Sequence, residues 1–124
     1  MVIGIGCDIV EHKVTRELNW ETDETVLNWI FSQKELEIYQ SKKDIKFLSG
    51  RFAVKEAVLK CLGTGMCDGI SLTDIHVLKS SAGVPILELT GAVKEISQGI
   101  GISNWFVSIT HSSEYSMAVV VAES

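Results

Sequence analysis

The stretch Arg51-Phe52-Ala53-Val54-Lys55-Glu56-Ala57-Val58-Leu59-Lys60-Cys61-Leu62-Gly63-Thr64-Gly65 sets one carboxylate among several cations. Glu56 and Lys60 are four residues apart and share a helical face, and Arg51 and Lys55 share another. Gly63 stands where a helix takes a left-handed residue after its last turn. Alone, this could be a solvated helix with an ordinary ion pair, since such pairs are common and weak. A second carboxylate changes the reading. Ile3-Gly4-Ile5-Gly6-Cys7-Asp8-Ile9 alternates with period two, the pattern of a half-buried strand. That pattern predicts Ile3, Ile5, Cys7 and Ile9 facing the core, with Gly4, Gly6 and Asp8 on the other face. Two glycines beside a carboxylate leave room for a ligand or a metal, or for a helix packed closely over the strand. They are no dinucleotide fingerprint, because Ile9 replaces its third glycine. The third stretch is Trp105-Phe106-Val107-Ser108-Ile109-Thr110-His111, followed by polar residues and the apolar run Met117 to Ala122. His111 lies where the strand gives out, a common place for site residues and also for hydrogen-bonded structural histidines.

Together these stretches resemble the holo-acyl-carrier-protein synthase family, the small class of 4'-phosphopantetheinyl transferases. Gly4-Ile5-Gly6-Cys7-Asp8-Ile9-Val10-Glu11 is similar to the family's opening G-x-G-x-D-[IL]-x-E. Arg51 to Ala57, with Lys60 and Gly63-Thr64-Gly65, is similar to R-F-x-x-K-E-A-x-x-K-x-x-G-T-G. Val107-Ser108-Ile109-Thr110-His111-Ser112 is similar to V-S-[IL]-[ST]-H-[ST]. Order and spacing agree over essentially the whole chain.

The resemblance implies an α+β fold, with an antiparallel sheet and a long helix packed on it, as one domain over residues 1–124. It implies transfer of the phosphopantetheine arm of coenzyme A to a serine of an apo acyl carrier protein, releasing adenosine 3',5'-bisphosphate. Asp8, Glu56 and Lys60 are the implied catalytic residues, with Asp8 and Glu56 holding magnesium and Lys60 meeting phosphate. Arg51, Lys55, Lys60, Gly63, Thr64, Gly65, Gly83, Pro85, Thr110 and His111 are the implied coenzyme A contacts. A homotrimer with the site between subunits is also implied, in the cytoplasm and in fatty acid biosynthesis.

The residue types suit this chemistry. Breaking a pyrophosphate develops negative charge, which a hard divalent cation offsets. Magnesium takes one or two carboxylates and fills its octahedron with phosphate oxygens and water. Asp8 and Glu56 supply that number if the strand lies against the helix. Lys60 acts as a point charge, and His111 binds phosphate better as imidazolium. No G-x-S-x-G elbow is present, so the nucleophile is expected on the carrier, and its proton goes to Glu56 or to a water. Gly63-Thr64-Gly65 follows a helix, whose negative end disfavours phosphate, so its first role is termination.

Two departures from the family pattern stand out. Val84 replaces the basic residue of G-[KR]-P in Gly83-Val84-Pro85, and Val14 stands where an arginine is common. The carrier is expected either to be less acidic or specialised, or to dock through Lys13, Arg16 and the Lys42, Lys43 and Lys46 cluster, which otherwise reads as solvated surface. Glu17, Glu21, Asp23 and Glu24 would repel an acidic carrier.

The chain has 124 residues, 46% of them apolar, and one proline, which argues for a folded core. Its net charge of −5 argues against broad nucleic-acid binding. Its longest uninterrupted apolar run is too short for a membrane span, and the first residues lack a signal's basic region. Cys7, Cys61 and Cys67 show no C-x-x-C pairing and read as free thiols. Thr22 or Asp23 is predicted to cap a short helix, and Ser32 to Glu35 to form a capping box. Strands are predicted at 75–78 and 86–89, a helix at 92–97, and an apolar interface strand at 118–121. Two other readings remain. One is a magnesium-dependent hydrolase of nucleotide pyrophosphates, and the other a non-catalytic coenzyme A binding or scaffold subunit.

Overall fold

The computed structural model describes residues 1–65 and 69–124. In chain order its elements are β1 (Val2–Glu11), α1 (His12–Glu17), α2 (Glu24–Ile30), α3 (Gln33–Lys42), α4 (Ile45–Leu62), a 3-10 turn (Leu72–Asp74), β2 (Ile75–Lys79), β3 (Pro85–Leu89), α5 (Gly91–Ile100), β4 (Asn104–His111) and β5 (Tyr115–Glu123). The architecture is α+β. β5 is the middle strand of an antiparallel sheet ordered β1-β5-β4, and β2 and β3 form a separate antiparallel hairpin. No helix among the described residues is long and apolar enough to cross a membrane.

α4 begins six residues before the motif does. The Asp44 side chain accepts from the Lys46 amide at 2.9 Å and caps the helix, and Gly63 ends it at φ +71°. Ala53, Val54, Ala57 and Val58 are fully buried on this helix, as are Ala118, Val120 and Ala122 on the inner side of the sheet. Of the two cap candidates Thr22 and Asp23 it is Asp23 that caps α2, and the Ser32–Glu35 capping box of α3 forms as the sequence indicates.

The alternation in β1 is present with its sense reversed. Gly6 is buried and faces α4, where an added Cβ would overlap the carbonyl oxygen of Ala57. One at Gly4 would come within 2.8 Å of the carbonyl oxygen of Cys61. The glycines therefore serve backbone-to-backbone packing of strand on helix. Ile3, Ile5, Cys7 and Ile9, predicted to face the core, lie on the outer face of the sheet, with Ile5 66% exposed. The interface strand divides the same way, since Ala118 and Val120 are buried while Met117 is exposed.

Lys55 requires a second correction. Predicted to contact coenzyme A, it is wholly buried. Its Nζ donates to Glu35 Oε1 at 2.7 Å, to the Leu72 carbonyl at 2.8 Å and to the Ile75 carbonyl. Glu35 also accepts from the Ser32 amide at 2.9 Å and the Val77 amide at 3.1 Å. One buried pair thus ties α3, α4 and β2 together. Burial pushes the Lys55 ammonium down from the usual lysine range, and the Glu35 carboxylate opposes that shift.

Candidate active site

Because the glycines let β1 lie against α4, Asp8 comes beside the exposed side of the helix's last turns. Lys60 Nζ lies 3.2 Å from Asp8 Oδ1 and donates to the Cys7 carbonyl at 2.8 Å. Lys60 is half-exposed. Glu56, one turn earlier, has its carboxyl raised by burial and then by the negative charge of Asp8, with Lys60 opposing. Two carboxylates that repel each other beside one ammonium form a fitting donor set for a hard cation, which would relieve that repulsion. Gly63, Thr64 and Gly65 follow directly. Among the described residues, no atom beyond the immediate chain neighbours lies within 4 Å of a Cβ built at Gly63 or Gly65, and Thr64 Oγ1 donates to the Gly65 carbonyl at 3.2 Å.

The other end of α4 carries a basic cavity of about 380 Å³. It contains Arg51, Gly83, Pro85 and His111 from the predicted set, together with Lys42, Lys46 and Lys79. Asp44 is the one acid among its described lining residues. The Arg51 guanidinium lies over the Phe47 ring, 4.0 Å from its centroid, and its buried Nε has no hydrogen-bond partner among the described residues. A buried, unpartnered donor in a cationic pocket is suited to an anionic guest. His111 is held by a 2.7 Å hydrogen bond between Nδ1 and Ser116 Oγ. Burial lowers its basicity first, then the charges of His12, Lys46 and Arg51, against a smaller opposing effect of Asp44.

The sequence and the fold match a known family. The family model of the 4'-phosphopantetheinyl transferase superfamily matches residues 4–120. The chain belongs to that superfamily. It is 42% identical over 125 aligned residues to a holo-[acyl-carrier-protein] synthase of Hydrogenovibrio crunogenus, covering 100% of this chain and 98% of that protein. Its fold matches the crystal structure of holo-[acyl-carrier-protein] synthase from Neisseria meningitidis with a TM-score of 0.91 at 30% identity, over all of both chains. The Bacillus anthracis synthase, solved in complex with CoA (3',5'-ADP), matches with a TM-score of 0.83 at 31% identity, over 100% of this chain and 98% of that one.

In this transferase the predicted residues fall into separate groups. Asp8, Glu56 and Lys60 come together, and so do Arg51, Gly83, Pro85 and His111. Arg51 and Lys60 are nine residues apart on α4, roughly 13 Å of helix rise. Thr110 does not join His111, because alternation along β4 puts it on the exposed outer face with Phe106 and Ser108. Cys67 lies outside the described residues, while Cys7 and Cys61 are free thiols, and burial raises the Cys61 thiol to about 11. Sequence reasoning missed Lys79, which pairs with Pro85 across the hairpin and brings a cation beside Val84. It also missed Gly50, where a Cβ would stand 2.7 Å from His111 Cε1. A glycine inside a helix at a cost of about 1 kcal/mol was the available signal.

Proposed function

We propose that this chain transfers the 4'-phosphopantetheine arm of coenzyme A to a serine of an apo acyl carrier protein and releases adenosine 3',5'-bisphosphate. The observation that carries the reading is the pairing of Asp8 and Glu56 with Lys60 at one end of α4, on a chain whose family performs this transfer. Asp8 and Glu56 would hold Mg2+, which when bound offsets the charge developing on the pyrophosphate. Lys60 binds a phosphate oxygen as a point charge. Arg51, Lys42, Lys46, Lys79 and His111 receive the nucleotide's remaining phosphate. The attacking hydroxyl belongs to the carrier, and its proton leaves to Glu56 or to water. The backbone of Gly63-Thr64-Gly65 borders the cleft beside Lys60.

The working form is a homotrimer in the cytoplasm. The outer sheet face supports assembly, since Ile5, Ile9 and Phe106 are each more than half exposed there in the single chain. Assembly would also let the carboxylates of one subunit and the basic pocket of its neighbour meet on one coenzyme A. The carrier docks beside α1, where Lys13 and Arg16 flank an apolar hollow that includes Val14, Leu18, Trp20 and Phe52. Lys79 answers the loss of a basic residue at Val84, which weakens the case for a scaffold that binds without reacting.

The test is intact-mass analysis of an apo carrier after incubation with this chain, coenzyme A and magnesium. A gain of one phosphopantetheine that EDTA abolishes is the expected result. Release of the bisphosphate without any carrier would instead indicate a hydrolase. Sedimentation analysis reads the assembly, and a monomer at working concentration would contradict the trimer.

A further inference from the structure

A hydrogen-bonded chain runs from the basic pocket into the buried start of α1. His111 Nδ1 lies 2.7 Å from Ser116 Oγ, that hydroxyl lies 2.8 Å from His12 Nε2, and His12 Nδ1 lies 3.1 Å from the Ser113 carbonyl oxygen. His12 and Ser116 are fully buried.

The protons of this chain can be counted. A carbonyl only accepts, so His12 Nδ1 carries a hydrogen. While His12 is neutral its Nε2 accepts, and Ser116 must donate to it. The Ser116 oxygen then accepts from His111, which fixes the His111 hydrogen on Nδ1 and leaves Nε2 bare. One added proton changes this whichever ring takes it. If His111 takes it, Nε2 gains the hydrogen directly. If His12 takes it, His12 donates to Ser116, Ser116 donates to His111 Nδ1, and the His111 hydrogen stands on Nε2.

Nε2 is the nitrogen left for the pocket. It makes no hydrogen bond among the described residues, and the ring edge that carries it lies over Gly50. A bare nitrogen and a phosphate oxygen are both acceptors and cannot pair. We propose that His12 and Ser116 are positioning residues that make phosphate capture at His111 Nε2 proton-coupled, with the two imidazoles sharing the proton taken up. Lys46 and Arg51 of α4, Lys42 of α3 and Lys79 of β2 disfavour that proton while the pocket is empty, and Asp44 favours it. A phosphate dianion reverses the balance. This rests on the reading that the pocket takes the nucleotide's phosphate.

Calorimetric binding of adenosine 3',5'-bisphosphate tests it, in buffers of different ionisation heat. The measurements sit at roughly pH 7.5 and 8.5, above the second phosphate ionisation at about 6. Wild type is expected to take up close to one proton, with affinity falling roughly tenfold per pH unit. Ser116→Ala lets neutral His111 carry its hydrogen on Nε2, so uptake collapses and the pH slope flattens to less than about threefold. Equal weakening at every pH with uptake retained would mean a purely structural role and overturn the proposal. Nitrogen NMR of the free wild type needs no variant. A hydrogen on His111 Nδ1 at the higher pH supports the inference, and one on Nε2 overturns it. Failure of the bisphosphate to bind at all would count against the pocket reading above, leaving the tautomer to decide this one.

Discussion

Lys55 and Lys60 stand on the same helix five residues apart and meet opposite environments. Lys55 is sealed from solvent and spends all three donors on Glu35 and two carbonyls. Lys60 is half-exposed and, among the described residues, bonds only the Cys7 carbonyl and Asp8. Their acidic companions differ likewise. Glu35 has amides and an ammonium around it, whereas Glu56 faces another carboxylate and has its carboxyl raised. A polar group whose partners are all within the fold holds the fold together. One left with spare capacity at the surface is free to meet a substrate. Residue type does not distinguish the two, but satisfaction does.

The contrast breaks most visibly at Lys55. Lys55→Met leaves Glu35 buried without its cation, a loss of about 3–5 kcal/mol. Thermal unfolding should show a large drop in melting temperature, and an unchanged midpoint would mean that the buried pair is unimportant. Gly50→Ala comes next and should separate binding from stability. The new methyl displaces His111, raising the Michaelis constant for coenzyme A roughly tenfold, about the loss of one charge-assisted hydrogen bond. The helix itself gains up to ~1 kcal/mol from the change, which offsets part of the cost of moving Ile109, whose Cγ2 would stand 3.2 Å from the methyl, so the melting temperature should shift by only a few degrees.

A smaller effect lies in pH. The folded-state carboxyl of Glu56 is raised above its unfolded value, so its protonated form is the one that folding favours. That contribution is complete below the unfolded value and is lost as pH rises through the folded one. Glu56→Gln, a permanently neutral stand-in, should therefore melt higher than wild type near neutrality without magnesium. The gap should close as pH falls to about 4. A variant that melts lower at neutral pH would mean that Glu56 holds the fold as Glu35 does. The weakest effect is expected at α1. Exchanging Lys13 and Arg16 for glutamate should slow carrier association and raise its Michaelis constant a few-fold, with turnover intact. No change would move the docking surface elsewhere.

The motif helix, the caps at Thr22 or Asp23 and at Ser32, and the β2–β3 hairpin were legible in the sequence, because spacing and cap chemistry are local, whereas the Asp8–Glu56–Lys60 grouping came from the family resemblance. The sense of β1 was not. Period two indicates that a strand has two faces, but the choice between them came from Gly4 and Gly6 admitting α4, against the preference to bury isoleucine. Lys55 was misplaced for a related reason. In the motif it is one cation among several, and its burial depends on Glu35, twenty residues away. The basic pocket was half legible, as Arg51 and His111 stood out while Lys79 and Gly50 acquire meaning only once the hairpin and β4 close around α4.

The sharpest measurement compares Glu56→Gln with wild type. Glu56→Gln and wild type would be matched for folding by thermal melting and given apo carrier, coenzyme A and magnesium, with carrier mass followed over time. Glu56→Gln should stay fully folded and lose transfer by on the order of a hundredfold or more, the scale of removing one group that stabilises developing charge. A folded Glu56→Gln that modifies the carrier at the wild-type rate would contradict the assignment of the site.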